Sequence, residues 1–157
     1  MDLTFKTPDG TFNYRVAAVI AHAGRLLVMR DGPDMNYYLP GGRVRFGETV
    51  EAALLREAEE ELHIKAEIVR PLWLNQGFFV MDGTDQKFHE LCLYFLVDAS
   101  ADLLTRGETF TLEEDGWVHE YAWLPFEQLK DAYFYPLFLK EAIFDLPETL
   151  TLRAEYE

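Results

Sequence analysis

The sequence predicts an α/β layered sandwich, and three observations predict it. A strong amphipathic pattern runs through "ETVEAALLREAEEELHI"; runs rich in Val, Ile, Leu and aromatic residues flank it on both sides; and two helical pieces stand near the C-terminus. A helix with one apolar stripe must bury that stripe, and strands before and after it supply a sheet to receive it.

Each element follows in order. "NYRVAAVIAH" and "RLLVMR", parted by a turn at Gly24, read as a hairpin. "DGPDMN" is a loop by its Gly, Pro and Asp content. "YYLPGGRVRFGE" reads as a short extended piece, a Pro-Gly-Gly turn and a second short piece. In that second piece Arg43 and Arg45 share one face, and Val44 and Phe46 the other. After the helix, "AEIVRPLWLNQGFFVM" and "KFHELCLYFLVDA" are long aromatic strands separated by the turn "DGTD". A loop carrying "LEEDGW" follows, then the strand "EYAWLP" and the helical pieces "FEQLKDAY" and "PLFLKEAIF". No repeat, low-complexity tract or linker divides the chain, so residues 1–157 are expected to form a single domain.

Composition narrows the function classes. With 49% hydrophobic and 15% aromatic residues the chain has material for a real core. Its formal net charge of −14 argues against nucleic acid or anionic membrane as partner, because both would be repelled, while a small anion carried with a divalent metal stays compatible. The start "MDLTFKTPDG" has no basic segment followed by an apolar run, and no stretch is apolar for long enough to span a bilayer, so a cytoplasmic location is expected. Cys92 is the only cysteine, which excludes internal disulfides and a thiolate metal cage; inside "LCLYFLV" it reads as a small core residue. A homodimer stays open.

The helix itself poses the functional question. Glu57, Glu59, Glu60 and Glu61 occupy four of five positions, with Arg56 as their only basic neighbour. Like charges three and four residues apart cost a helix roughly 0.2–0.5 kcal/mol per pair. At about 100° per residue, with Glu57 at zero, Val50, Leu54, Ala58, Leu62 and Leu55 fall at about 20°, 60°, 100°, 140° and 160°. Glu60 then lies at about 300° and Glu61 at about 40°, so Glu57, Glu60 and Glu61 cluster at the border of the buried arc. Glu59, at about 200°, points to solvent. An acidic solvated face accounts for Glu59 but not for Glu61, because an unpaired carboxylate among core residues is costly to desolvate.

Arg56 can partner Glu60, but one guanidinium does not neutralise three carboxylates. A divalent cation does, and hard oxygen ligands select Mg²⁺, Mn²⁺ or Ca²⁺. The preceding "PGGRVRFGE" sets Gly41, Gly42 and Gly47 just before the helix, where glycine lets backbone approach a ligand and a helix N-terminus favours anions.

From Gly42 the chain reads Gly, five residues, Glu48, seven residues, then Arg56-Glu57-Ala58-Glu59-Glu60-Glu61. This pattern resembles the Nudix box of the Nudix hydrolases, preceded by its usual Pro-Gly. It matches at every charged position and at the apolar Ala58 and Ile64; His63 stands where the family usually has glycine, at the residue that ends the helix. Glycine there suits a left-handed cap, a conformation that histidine tolerates better than β-branched residues do.

The resemblance implies the Nudix fold, an α/β/α sandwich with a mixed β-sheet, and hydrolysis of a nucleoside diphosphate linked to another moiety. It implies Mg²⁺, with Mn²⁺ as a substitute. Glu60 and Glu61 would be metal ligands, the Gly41 carbonyl a further one, and Glu57 either a ligand or the base that takes a proton from water. Glu48 and Arg56 would form a structural ion pair orienting helix and loop. Relatives often recruit a further acid from a later loop; the candidates are Glu113 and Glu114, with Asp115 and Glu90 behind them. Arg30 sits where relatives often place a phosphate-binding arginine, and a solvated strand end explains it equally well.

Specificity is less legible. Arg30, Gly42 and Tyr38 are the substrate-binding candidates. Tyr37, Tyr38, Phe78, Phe79, Phe88 and Trp73 serve either as base-stacking platforms or as core. Arg15 and His89 carry no assignment, and His22 and His119 have no metal-site spacing. Two readings stand: a Mg²⁺-dependent hydrolase of small-molecule nucleotide pyrophosphates, and a non-catalytic nucleotide-sensing module of the same fold. Retention of every acidic position in the box favours the enzyme.

Overall fold

The apolar runs of the sequence become the long strands of one mixed sheet. The computed structural model describes residues 1–157 and contains β1 (Thr4–Thr7), β2 (Gly10–His22), β3 (Arg25–Asp31), β4 (Gly41–Arg43), α1 (Val50–Leu62), β5 (Ile68–Val80) and β6 (Lys87–Val97). There follow α2 (Ala101–Leu104), β7 (Thr109–Glu114), β8 (Trp117–Pro125), a 3₁₀ segment (Phe126–Asp131), α3 (Leu139–Ala142) and β9 (Thr151–Tyr156). The strand order is β7-β8-β3-β2-β6-β5-β9, with β1 and β4 also pairing with β2. The β2–β6 and β5–β9 pairs are parallel and the others antiparallel.

Strand β2 is apolar without alternation because both of its faces are covered. Val16, Ala18 and Ile20 belong to the core under α1, with Leu54, Ala58, Leu62, Leu93 and Phe95. Ala17 and Val19 face the other way, into a core with Leu72, Trp73, Tyr94, Phe134, Phe138 and Leu139. This gives the α/β/α sandwich, with a thin second layer.

Several expectations are corrected. The C-terminal helical pieces shrink to the 3₁₀ segment, which ends where Ala132 turns extended, and to the single-turn α3, and the chain closes instead with β9 on the sheet edge. The loop containing "LEE" is strand β7, in a hairpin with β8 that turns at Asp115 and Gly116, both at positive φ. β1 was not foreseen; it pairs with the start of β2. Gly41 and Gly42 are not a turn but strand β4, pairing with Ala17 and Val16. Val44 is buried, whereas Phe46 is 76% exposed, because the chain leaves the sheet after Arg43. On α1, Leu55 is exposed and Ala53 fully buried, so the buried arc is rotated toward the glutamates. No helix is long and apolar enough to cross a membrane.

Candidate functional site

The helix that carries the glutamates is closed at both ends. Thr49 caps it by accepting the Ala52 N–H at 3.1 Å. His63 ends it in the left-handed conformation, φ 56° and ψ 43°, donating its N–H to the Glu59 carbonyl at 3.1 Å. The histidine thus adopts the geometry that glycine takes most easily.

Arg56 ties the acidic positions together. Its Nε and Nη2 donate to the two Glu48 oxygens at 2.7 and 2.9 Å, and Nη2 also donates to the Arg43 carbonyl at 3.0 Å. Its Nη1 reaches Glu57 at 2.8 Å and Glu60 at 3.4 Å. Glu48 in turn accepts the Arg45 N–H at 2.9 Å. The arginine holds the Glu48 carboxyl at about 2.

Glu61 is 6% exposed, the one buried glutamate of the helix. Its Oε1 accepts the Gly41 N–H at 3.0 Å, and its backbone carbonyl accepts the Tyr121 hydroxyl at 2.7 Å. Burial, and then the charge of Glu57, push the Glu61 carboxyl well above the usual range. Glu57 is pushed up as well, by burial first, against the opposing pull of Arg56. The glycines are there for contact. A β-carbon at Gly42 would overlap the Glu57 carboxylate, and one at Gly41 would overlap the Val16 carbonyl.

The donor chemistry fits a hard divalent cation: a buried and a partly buried carboxylate face each other, and only Glu57 has a guanidinium partner. No three acidic or histidine side chains converge at ligand spacing, because Arg56 draws Glu57 and Glu60 while Glu61 is turned onto Gly41. Glu60 is half-exposed, with Arg45 4.0 Å away on its far side. Glu59 is exposed.

Of the later acids, Glu114 is the one whose charge acts on Glu61; Glu113 and Asp115 face solvent. Glu114 Oε1 lies 3.3 Å from His119 Nε2, and His119 Nδ1 lies 2.6 Å from Asp31 Oδ1, which also accepts the Tyr38 hydroxyl at 2.8 Å. His119 thus bridges Asp31 and Glu114 through its two ring nitrogens. Asp31 and His119 were missed in the sequence: they meet only because β3 and β8 pair in that register, 88 residues apart. Arg30 is engaged, donating to Glu120 at 2.6 Å and lying over the Tyr37 ring.

On the sheet face opposite α1 lies a cleft of about 450 Å³ lined by Arg15, Tyr38, Asn75, Phe78, Glu90 and Tyr135, among others. Of the aromatic candidates, Tyr38, Phe78 and Phe79 line it, Trp73 is buried in the core, and Phe88 stacks on Phe79. Glu90 belongs to this cleft rather than to the helix cluster.

Residues 11–143 match the family described as NUDIX domain. The chain belongs to the Nudix family. Nudix hydrolases use divalent metal ions. Over 130 residues this Nudix chain is 30% identical to a Mycobacterium tuberculosis (strain CDC 1551 / Oshkosh) protein named "Putative mutator protein MutT4", covering 81% of this chain and 45% of that one. It therefore spans about half the length of that relative. It is 31% identical over 129 residues to the RNA pyrophosphohydrolase of a Nitratiruptor species, covering 73% and 72% of the two chains. The MutT protein of Bacillus halodurans superposes with a TM-score of 0.61 at 11% identity, covering 92% of this chain and 89% of that one, a likeness of fold.

Proposed function

We propose that this Nudix protein hydrolyses the pyrophosphate linkage of a nucleoside diphosphate joined to another moiety, with Mg²⁺ or Mn²⁺ as cofactor. The observation that carries the reading is the Glu57–Glu61 pair behind the Gly41–Gly42 strand, two carboxylates raised first by burial, of which only Glu57 has a cationic partner. Glu60, Glu61, the Gly41 carbonyl and Glu114 would hold the metal, with Glu57 either a further ligand or the base. When bound, the metal neutralises the pyrophosphate and makes water more acidic.

The remaining work falls to the chain's own residues. Arg56 and Glu48 lock the helix to the loop that precedes it, so the carboxylates sit at fixed positions relative to Gly41. As base, Glu57 would take a proton from the attacking water as the water oxygen bonds to phosphorus and the bridging P–O bond breaks, the bridging oxygen leaving with the departing phosphate. The His119–Asp31 hydrogen bond holds the imidazole toward Glu114. The relative named RNA pyrophosphohydrolase supports a pyrophosphate bond as the target.

The purified protein should be assayed with Mg²⁺ or Mn²⁺ on nucleoside triphosphates, nucleotide sugars, ADP-ribose and dinucleoside polyphosphates, in ¹⁸O-labelled water. Turnover of at least one of these is expected, with label on a phosphate product and little action on nucleoside monophosphates. Binding without turnover across the set would favour a sensing module. Label on a sugar carbon would overturn attack at phosphorus.

A further inference from the structure

We propose that the cleft opposite α1 is a nucleobase pocket and that Glu90 and Arg15 read a guanine edge there. The inference rests on the reading of the substrate as a nucleotide.

Strand register builds the floor. Arg15 on β2 and Asn75 on β5 both pair with Cys92 on β6, so they flank it on one face. Glu90 stands two residues along β6 on the same face, between Asn13 and Gly77. Cys92 is small and Gly77 has no side chain, which leaves a hollow ringed by a guanidinium, a carboxylate and an amide. Tyr38, Phe78 and Tyr135 add aromatic walls suited to a planar ring.

Two polar groups of the floor lack hydrogen-bond partners, and the third has only one long contact. Asn75 is 5% exposed, and its Oδ1 has no hydrogen-bond donor. The Arg15 guanidinium feels the charge of Glu90 but has no hydrogen bond or ion pair of its own. Glu90 has only a 3.5 Å contact from Asn13 Nδ2. A buried polar atom without a partner, as Asn75 Oδ1 is, is rare and calls for an explanation, which a bound ligand supplies; Arg15 and Glu90 are half-buried beside it.

Charge says which part of a nucleotide enters. The lining also includes Asp34, Asp82, Glu155 and Glu157, so the field is acidic and disfavours phosphate inside. A neutral base fits. A carboxylate offers two acceptor oxygens, and guanine presents two adjacent donors, N1–H and the N2 amino group, beside O6. Arginine is the side chain that pairs with O6 and N7. Adenine, cytosine and uracil each lack that pair of adjacent donors, so they leave one oxygen of Glu90 unmatched.

Calorimetric titration with GMP, IMP, AMP, CMP and UMP tests this. GMP and IMP differ only in the N2 amino group. GMP is expected to bind at least about tenfold more tightly than IMP, the effect of about 1.4 kcal/mol. E90Q should abolish that difference while its melting curve stays with the parent's, and R15K should weaken GMP without removing the preference over IMP. Equal binding of GMP and IMP by the parent protein, no GMP binding at millimolar concentration, or an E90Q variant that keeps the preference would each overturn the proposal. Monophosphates carry no pyrophosphate, so the two readings fail separately: turnover without base preference sinks only this pocket, and guanine-selective binding without turnover sinks only the hydrolase.

Discussion

Arg56 grips Glu48 at two points, with Nε and Nη2 on separate carboxylate oxygens at 2.7 and 2.9 Å. Paired donors of this kind fix orientation as well as distance. Because the same guanidinium reaches Arg43, Glu57 and Glu60, this pair sets where the acidic helix stands relative to its loop.

Glu48→Gln should destabilise the protein by about 1–3 kcal/mol, the worth of hydrogen bonds to a charged group. The sign with pH follows from the depressed carboxyl. Arg56 lowers Glu48 to about 2, so its contribution is present above the ordinary glutamate range and disappears as pH falls from that range toward about 2. Denaturant melts of parent and variant at neutral and acid pH should therefore converge at the acid end. A gap that stays constant across this window would contradict the ion-pair account.

His63→Gly should stabilise the fold. A non-glycine residue in the left-handed region costs roughly 1–2 kcal/mol, of which glycine's greater freedom in the unfolded chain takes back part. The expected gain is about 1 kcal/mol, or roughly 2–4 °C in melting temperature. A lower melting temperature would mean that His63 makes a compensating interaction.

Glu59→Gln and Glu61→Gln separate solvent face from site. Glu59 is exposed and its loss should change turnover by less than about twofold. Glu61 is buried against Gly41, and its loss should lower turnover by at least about a hundredfold in a folded protein. Equal effects from the two would remove Glu61 from the machinery.

Millimolar Mg²⁺ or Mn²⁺ should raise the melting temperature by binding the folded state, with a shift that grows with concentration as RT ln(1 + [L]/Kd). The Glu61→Gln variant should respond less. A parent melting curve unmoved by either ion, with and without nucleotide, would argue against a metal on these carboxylates.

The sequence by itself determined what is local. The helix, the clustering of Glu57, Glu60 and Glu61 and the spacing of Gly42, Glu48 and Arg56 depend on a 3.6-residue period and on residue order, both readable along the chain. The β2–β3 hairpin was legible for the same reason. Only the tertiary structure decided what depends on pairing distant strands. That Asp31 meets His119 and Glu114, that Arg15, Asn75 and Glu90 share one floor, and that Thr109–Glu114 and Thr151–Tyr156 are strands follow from sheet register, in which a shift of one residue sends every side chain to the opposite face. Gly41 and Gly42 show the same division: the sequence marks them as glycines before a helix, but that they are strand residues pressed against Val16 and Glu57 is set by how closely β4 approaches β2 and α1.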